Sequence, residues 1–202
     1  MNSNVVIFIH GAYSTGLSFT YLKQGLGENR PQSTWTYDWN DREEVLCEDL
    51  AYEICRVGGS DEASKVDLVG HSLGGVLAMA LQSIPPVRSR TRKIVTLSSP
   101  LGGVEVARYL KWLYFREELF NTIHPGGKLA NAIRNTNYDH VERMHIVTTG
   151  GESPVFKHPN DGVVSVASQM AKPGGEVFKM DINHFEVLLN PGCKNLIAEF
   201  LK

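Results

Sequence analysis

Cysteine is scarce in this sequence of 202 residues and is scattered along it. Cys47, Cys55 and Cys193 are few and scattered, and their odd number leaves one of them unpaired. A disulfide framework is therefore not expected, and no Cys-x-x-Cys spacing indicates a zinc site. We expect the three residues to be small buried hydrophobic groups, and we predict neither a metal ion nor another cofactor.

Blocks of one charge sign and long apolar runs are also missing. Twenty Lys and Arg residues stand against twenty-two Asp and Glu residues, which does not indicate a surface for nucleic acid or for anionic lipid. The apolar run from Val5 to Ile9 is too short for a signal peptide or a membrane span. We expect a small-molecule partner, no nucleic acid, no transmembrane segment and a cytoplasmic location, although a secreted form without its signal would have the same sequence. The oligomeric state is left open.

The pattern of elements predicts the fold. With 42% hydrophobic residues and no internal repeat, the chain is expected to form a single domain over residues 1–202. Strands alternate with helical segments, which predicts a three-layer α/β/α domain around a mainly parallel, roughly six-stranded sheet. The predicted strands cover 5–9, 34–39, 65–70, 93–98, 142–149 and 176–180, and the clearest helices cover 19–26, 40–57, 73–84 and 190–201.

The segment Gly70-His71-Ser72-Leu73-Gly74 carries the strongest chemical signal. It has the pattern Gly-x-Ser-x-Gly and lies between a predicted buried strand and a predicted helix. Such a turn exposes the serine hydroxyl, and the amides at the start of the following helix point toward whatever lies above it. Ser72 is therefore a candidate nucleophile.

A serine nucleophile needs a base, and the base needs a third group to orient it. His184 follows the last predicted strand directly and is the best base among seven histidines. Asp161 follows the fifth strand, and the order Ser, Asp, His is the one expected on an α/β sheet. Asp181 and Asp139 are alternatives, but Asp181 is only three residues from His184 and Asp139 precedes the fifth strand.

The developing oxyanion needs amide donors. We predict that Leu73, which follows the nucleophile, supplies one of them. The loop after the first strand should supply the second, from Ala12 or alternatively from Tyr13. His10 and His71 are interpreted as structural or loop-orienting residues. A phosphate-binding loop at 11–16 is an alternative that the sequence indicates only weakly, because no Lys-Ser or Lys-Thr follows its second glycine.

These segments together resemble the α/β-hydrolase superfamily, and most closely its small lipases and esterases. The resemblance rests on Val5-Val6-Ile7-Phe8-Ile9-His10-Gly11, Gly70-His71-Ser72-Leu73-Gly74-Gly75, Ser98-Ser99-Pro100-Leu101-Gly102-Gly103, Asn160-Asp161-Gly162-Val163-Val164 and Asn183-His184. It implies Ser72 as nucleophile, Asp161 as acid, His184 as base and the amides of Ala12 and Leu73 as the oxyanion hole. The first two strands of larger members are missing, so a compact version is expected.

We therefore expect a serine hydrolase of carboxylic esters, with lipid or acyl esters as its substrates. An acyltransferase or thioesterase with the same triad is the alternative, and a non-catalytic binding module is a third hypothesis. The aromatic-rich stretch at 102–135 is either a helix packed on the core or a cap over the site. As a cap it would place Trp112 and Phe115, together with Tyr13, against the substrate.

Overall fold

The computed structural model describes residues 4–57, 65–104, 122–152, 158–172 and 174–202. One sheet holds six strands in the order β2-β1-β3-β4-β5-β6, and all neighbours in it are parallel. All carboxyl ends therefore meet at one edge, where ligands bind in such sheets. The strands are β1 (Val5–Ile9), β2 (Gln32–Trp35), β3 (Val66–His71), β4 (Thr91–Leu97), β5 (Glu142–Thr148) and β6 (Glu176–Met180).

Helices cover both faces of the sheet, which confirms the predicted three-layer α/β/α fold. Because successive strand residues point to opposite faces, Ile7 packs in the core below α2, α3 and α5, whereas Phe8 packs in the core below α1 and α7. The helices are α1 (Thr20–Lys23), α2 (Glu43–Val57), α3 (Leu73–Ala80), α4 (Pro85–Arg90), α5 (Lys128–Asn135), α6 (Val166–Gln169) and α7 (Pro191–Phe200). Short 3-10 turns lie at Gly16–Phe19, Gln24–Leu26, Leu81–Ser83 and Glu186–Leu188.

Several predicted elements have other bounds in the structure, and two of the differences have a clear physical cause. The second strand ends at Trp35 rather than at residue 39, because Tyr37 stacks on Trp35 with ring centroids 4.2 Å apart and donates its hydroxyl to the His10 carbonyl. The chain therefore turns toward the end of β1. The helix α4, which is absent from the predicted elements above, begins with Pro85 and Pro86, where the missing amide hydrogen costs nothing.

The predicted insertion at 102–135 is described only at its two ends. Its last part forms α5, which packs beside α3 and buries Leu129, Ala130 and Ile133. Residues 105–121, which include Trp112 and Phe115, lie outside the described residues, so a cap there stays a prediction. No described helix has the length and apolar character needed to cross a membrane.

Candidate active site

Ser72 occupies a sharp turn between β3 and α3. Its backbone has φ 52° and ψ −120°, a left-handed conformation that costs energy in any residue except glycine. The neighbouring glycines leave no room for a side chain. A Cβ atom on Gly70 would lie 2.4 Å from the Gly75 nitrogen, and one on Gly74 would lie 2.0 Å from the Ile9 carbonyl oxygen. The spacing Gly-x-Ser-x-Gly is therefore a steric requirement of this turn.

The loops after the two strands that flank β3 also contain a residue with a strained backbone. Among the described non-glycine residues, only Tyr13, Ser72 and Ser98 have positive φ, at 56°, 52° and 51°. They follow β1, β3 and β4, which are neighbours in the sheet. Strained residues persist where surrounding structure holds them in place, and they cluster at functional sites. The three residues mark the carboxyl edge of the sheet as the candidate site.

His184 and Asp161 are paired at the same edge. The distance from His184 Nδ1 to Asp161 Oδ2 is 2.8 Å, and the two side chains are buried. The His184 amide also donates to the Asp161 carbonyl oxygen at 3.0 Å, so the two loops are tied by backbone as well as by side chains. A neutral imidazole that donates from Nδ1 has its lone pair on Nε2. The pair therefore leaves Nε2 as the basic atom.

The alternative acids are placed elsewhere. Asp139 accepts a hydrogen bond from the Asn137 side chain at 2.9 Å, beside the start of β5 and so at the opposite edge of the sheet. Asp181 is exposed at the end of β6. The carboxylate that contacts His184 is that of Asp161.

The Asp161 carboxylate is surrounded by hydrogen-bond donors. Burial acts to raise its pKa, but the hydrogen bonds outweigh burial and hold the pKa below its usual range. Asp161 therefore stays ionised at neutral pH. Oδ1 accepts the amides of Val163 and Val164 at 3.0 and 2.7 Å, and Oδ2 accepts from His184 Nδ1, Thr148 Oγ1 and Gln169 Nε2 at 2.8, 2.6 and 3.2 Å.

His71 links the serine turn to the histidine loop. Its Nε2 donates to the His184 carbonyl oxygen at 2.9 Å, and the two rings lie 4.9 Å apart. Burial, followed by the neighbouring His184, lowers the pKa of His71 to about 3, so His71 is neutral. A Cβ atom on Gly11 would lie 2.9 Å from Ser72 Cβ, which places the loop after β1 against the serine. Ser72 is half-buried.

The candidate oxyanion donors come from two elements. Leu73 is the first residue of α3, where amides have no acceptor within the helix. Ala12 is half-buried in the loop after β1. His10 holds that loop, because its Nδ1 donates to the Gly11 carbonyl oxygen at 2.9 Å and its ring stacks on Tyr37 at 4.3 Å.

Tyr13 lies beside this loop and is exposed, with its ring 4.0 Å from the Trp39 ring. Phe185 is also exposed and meets the His184 ring edge-on at 5.2 Å. Two aromatic side chains are therefore available to a ligand at this edge. Within the described ranges, no group of three or more His, Cys, Asp and Glu residues could hold a metal ion.

Sequence reasoning missed Thr148 and Gln169. Thr148 is the last residue of β5, a strand that contains both polar and apolar residues, so nothing in the local sequence marks it as a partner of Asp161. Gln169 lies in a short helix and carries no sequence signal, since its contact with Asp161 depends on the tertiary fold.

Residues 6–167 match the sequence profile of the alpha/beta hydrolase family. The match covers most of the chain, so the protein belongs to the alpha/beta hydrolase family. No curated protein matches the chain in sequence.

Solved structures share the fold over almost all of the chain. The mature form of lipase BlEst2 from Bacillus licheniformis has a TM-score of 0.79 at 12% identity, covering 100% of this chain and 93% of that one. The metagenomic carboxyl esterase MGS0156 has a TM-score of 0.74 at 14% identity, with coverages of 100% and 75%. The RedJ thioesterase of the prodiginine biosynthetic pathway in Streptomyces coelicolor has a TM-score of 0.60 at 16% identity, with coverages of 98% and 89%. Each likeness concerns the fold.

Proposed function

We propose that the protein is a serine hydrolase that cleaves carboxylic esters through an acyl-enzyme on Ser72. One observation carries the proposal: the buried pair of His184 and Asp161, 2.8 Å apart, lies at the same sheet edge as the strained turn of Ser72. A nucleophile, a base and a group that orients the base are the three parts that acyl transfer to a serine requires.

The proposed reaction starts with the tautomer of His184. Because Nδ1–H is held by Asp161, Nε2 accepts the proton of Ser72 as its oxygen attacks the ester carbonyl. The amides of Leu73 and Ala12 stabilise the oxyanion. His184 then protonates the departing alcohol, which leaves an acyl group on Ser72.

Deacylation reverses these roles. His184 removes a proton from water, the hydroxide attacks the acyl-enzyme, and the carboxylic acid departs as Ser72 regains its proton. Asp161 remains ionised throughout and stabilises the imidazolium ion that forms in each half of the reaction.

Apolar acyl or alcohol groups suit the surroundings of this site. Phe185 is exposed beside His184, and Tyr13 is exposed beside the candidate oxyanion loop. We further propose that Trp112 and Phe115 form an apolar wall for an acyl chain. Replacing either by Ala should change acyl-length preference more than thermal stability, and a change in stability alone would indicate core packing instead.

Rates of hydrolysis of p-nitrophenyl esters from acetyl to dodecanoyl test the proposal, with Ser72→Ala as the matched control. The expected result is ester cleavage by the wild type and a loss of about 10⁴-fold or more in the variant. Equal cleavage by a folded Ser72→Ala protein would contradict it.

A thioesterase is the second candidate, favoured by the fold likeness to the RedJ thioesterase. Matched oxygen and sulfur esters of one acyl group separate the two activities. Adding a competing alcohol or thiol identifies an acyltransferase, because the acceptor then appears in the product in place of water.

A further inference from the structure

Two uncharged side chains hold one oxygen of Asp161. Thr148 Oγ1 lies 2.6 Å and Gln169 Nε2 lies 3.2 Å from Oδ2, the oxygen that also accepts from His184. Thr148 has no exposed surface and Gln169 is 3% exposed. These contacts therefore form in a buried environment, where a hydrogen bond to a charge is stronger than it is in water.

The orientation of the Gln169 amide is fixed by the backbone of Thr148. The Thr148 amide donates to Gln169 Oε1 at 2.9 Å, and Gln169 Nε2 donates to the Thr148 carbonyl oxygen at 3.0 Å. A flipped amide would place donor against donor and acceptor against acceptor. The NH₂ group must therefore face Asp161.

The direction of the hydrogen bond from the Thr148 hydroxyl is also fixed. It has one proton, and it lies within hydrogen-bond distance of the Asp161 carboxylate and of Ser98 Oγ, which is 2.8 Å away. A carboxylate can only accept. Thr148 therefore donates to Asp161 and accepts from Ser98, and the chain of hydroxyls ends on the carboxylate.

We propose that Thr148 and Gln169 are positioning residues that hold the Asp161 carboxylate in the orientation and charge state that let His184 act as a base. The inference rests on the function proposed above and deepens it. These residues do not touch the reacting atoms. They act through Asp161.

Removal of either donor to Asp161 is expected to move the acid limb of the pH profile in one direction. Donors on Oδ2 share the negative charge of the carboxylate, so removing one makes Asp161 a stronger partner for the protonated imidazole of His184. His184 then keeps its proton to a higher pH. The acid limb of kcat/KM, which reports the essential base of the free enzyme, moves upward.

Three other titratable groups lie on the described elements around this pair. His71 at the end of β3 contacts His184 and has its pKa lowered to about 3 by burial and then by His184. His10 at the end of β1 has its pKa lowered by burial. Glu186 accepts the Asn183 amide, beside His184 in the chain. None of these groups is altered in the variants below, so a shift in the acid limb reports His184.

The sharpest variant is Thr148→Val, which keeps the shape of the side chain and removes its hydroxyl. We expect kcat to fall about tenfold with KM within about twofold, and the acid limb to rise by about half to one pH unit. Thr148→Ser restores the hydroxyl and should restore the wild-type pH profile. Thr149→Val is the matched control, because the Thr149 hydroxyl contacts the Met180 carbonyl oxygen at 3.2 Å instead.

Gln169→Met is an independent variant should Thr148→Val fail to fold. It keeps a side chain of similar length and removes the Nε2 donor that faces Asp161. Because Asp161 then loses one of the donors on Oδ2, the acid limb should again rise. An acid limb unchanged in both folded variants, with only the melting temperature lowered, would overturn the inference.

An NMR titration of the His184 ring separates the inference from the proposed function. If the wild type cleaves no ester, the proposed function fails, yet a higher His184 titration midpoint in Thr148→Val than in Thr149→Val would still support the positioning role. If the wild type is active and the midpoint does not move, the inference alone fails.

Discussion

His184 Nδ1 and Asp161 Oδ2 lie 2.8 Å apart although 23 positions separate the two residues in the chain. The contact is buried on both sides, so water does not compete for it. It fixes the tautomer of His184 and leaves Nε2 basic. Two predictions below depend on this pair: the loss of activity in Asp161→Asn and the labelling of Ser72 by a fluorophosphonate.

Asp161→Asn should lower kcat by about 10⁴-fold, because an amide that donates to Nδ1 forces the wrong tautomer on His184. Steady-state kinetics at neutral pH measure the effect. Asp181→Asn is the control, since Asp181 is exposed at the end of β6, and it should stay within about twofold of wild type. A comparable loss in Asp181→Asn would instead identify Asp181 as the acid.

Ser72→Gly should be more stable than Ser72→Ala, although both are inactive. The left-handed backbone at φ 52° strains alanine as it strains serine, whereas glycine adopts it freely. The expected difference is about 1 kcal/mol, or roughly 2–4 °C in melting temperature for a chain of this size. Equal melting temperatures would show that the turn relaxes when the serine is removed.

Gly74→Ala should destabilise the fold by about 3 kcal/mol. The added Cβ would lie 2.0 Å from the Ile9 carbonyl oxygen, which is backbone and cannot rotate away. Gly126→Ala is the matched control, because its Cβ meets nothing closer than 3.4 Å. Urea unfolding measures both changes, and a similar midpoint for the two variants would contradict the packing seen at the turn.

The elements that carry the site were predictable because their signals are local. A strand followed by Gly-x-Ser-x-Gly identified Ser72, and the loops after the last two strands identified Asp161 and His184 as candidates. Thr148 and Gln169 were not predictable, since each contacts Asp161 across loops whose path is set by tertiary packing. The end of β2 was missed for a similar reason, as stacking between aromatic rings overrides strand propensity there.

The stability of the fold should fall as the pH decreases below about 6.5. Burial lowers the pKa of His145 to about 4. Between about pH 6.5 and pH 4, His145 is therefore protonated in the unfolded chain but neutral in the folded protein. Stability is therefore complete above pH 6.5 and is lost through this window at up to about 1.4 kcal/mol per pH unit for this residue. The same direction holds for His71.

Urea unfolding at a series of pH values measures this slope. His145→Gln removes the titrating ring and should flatten the slope between pH 6.5 and 4 by the contribution of one histidine. A variant with the wild-type slope would show that other groups cause the acid sensitivity.

Mass spectrometry of the protein after treatment with a fluorophosphonate tests the central claim most directly, because this reagent reacts with a serine only when a base activates it. The expected result is one phosphonyl group on the wild type, located on the peptide that contains Ser72, and none on Ser72→Ala. An unlabelled wild type, or equal labelling of Ser72→Ala, would contradict the assignment of Ser72 as an activated nucleophile.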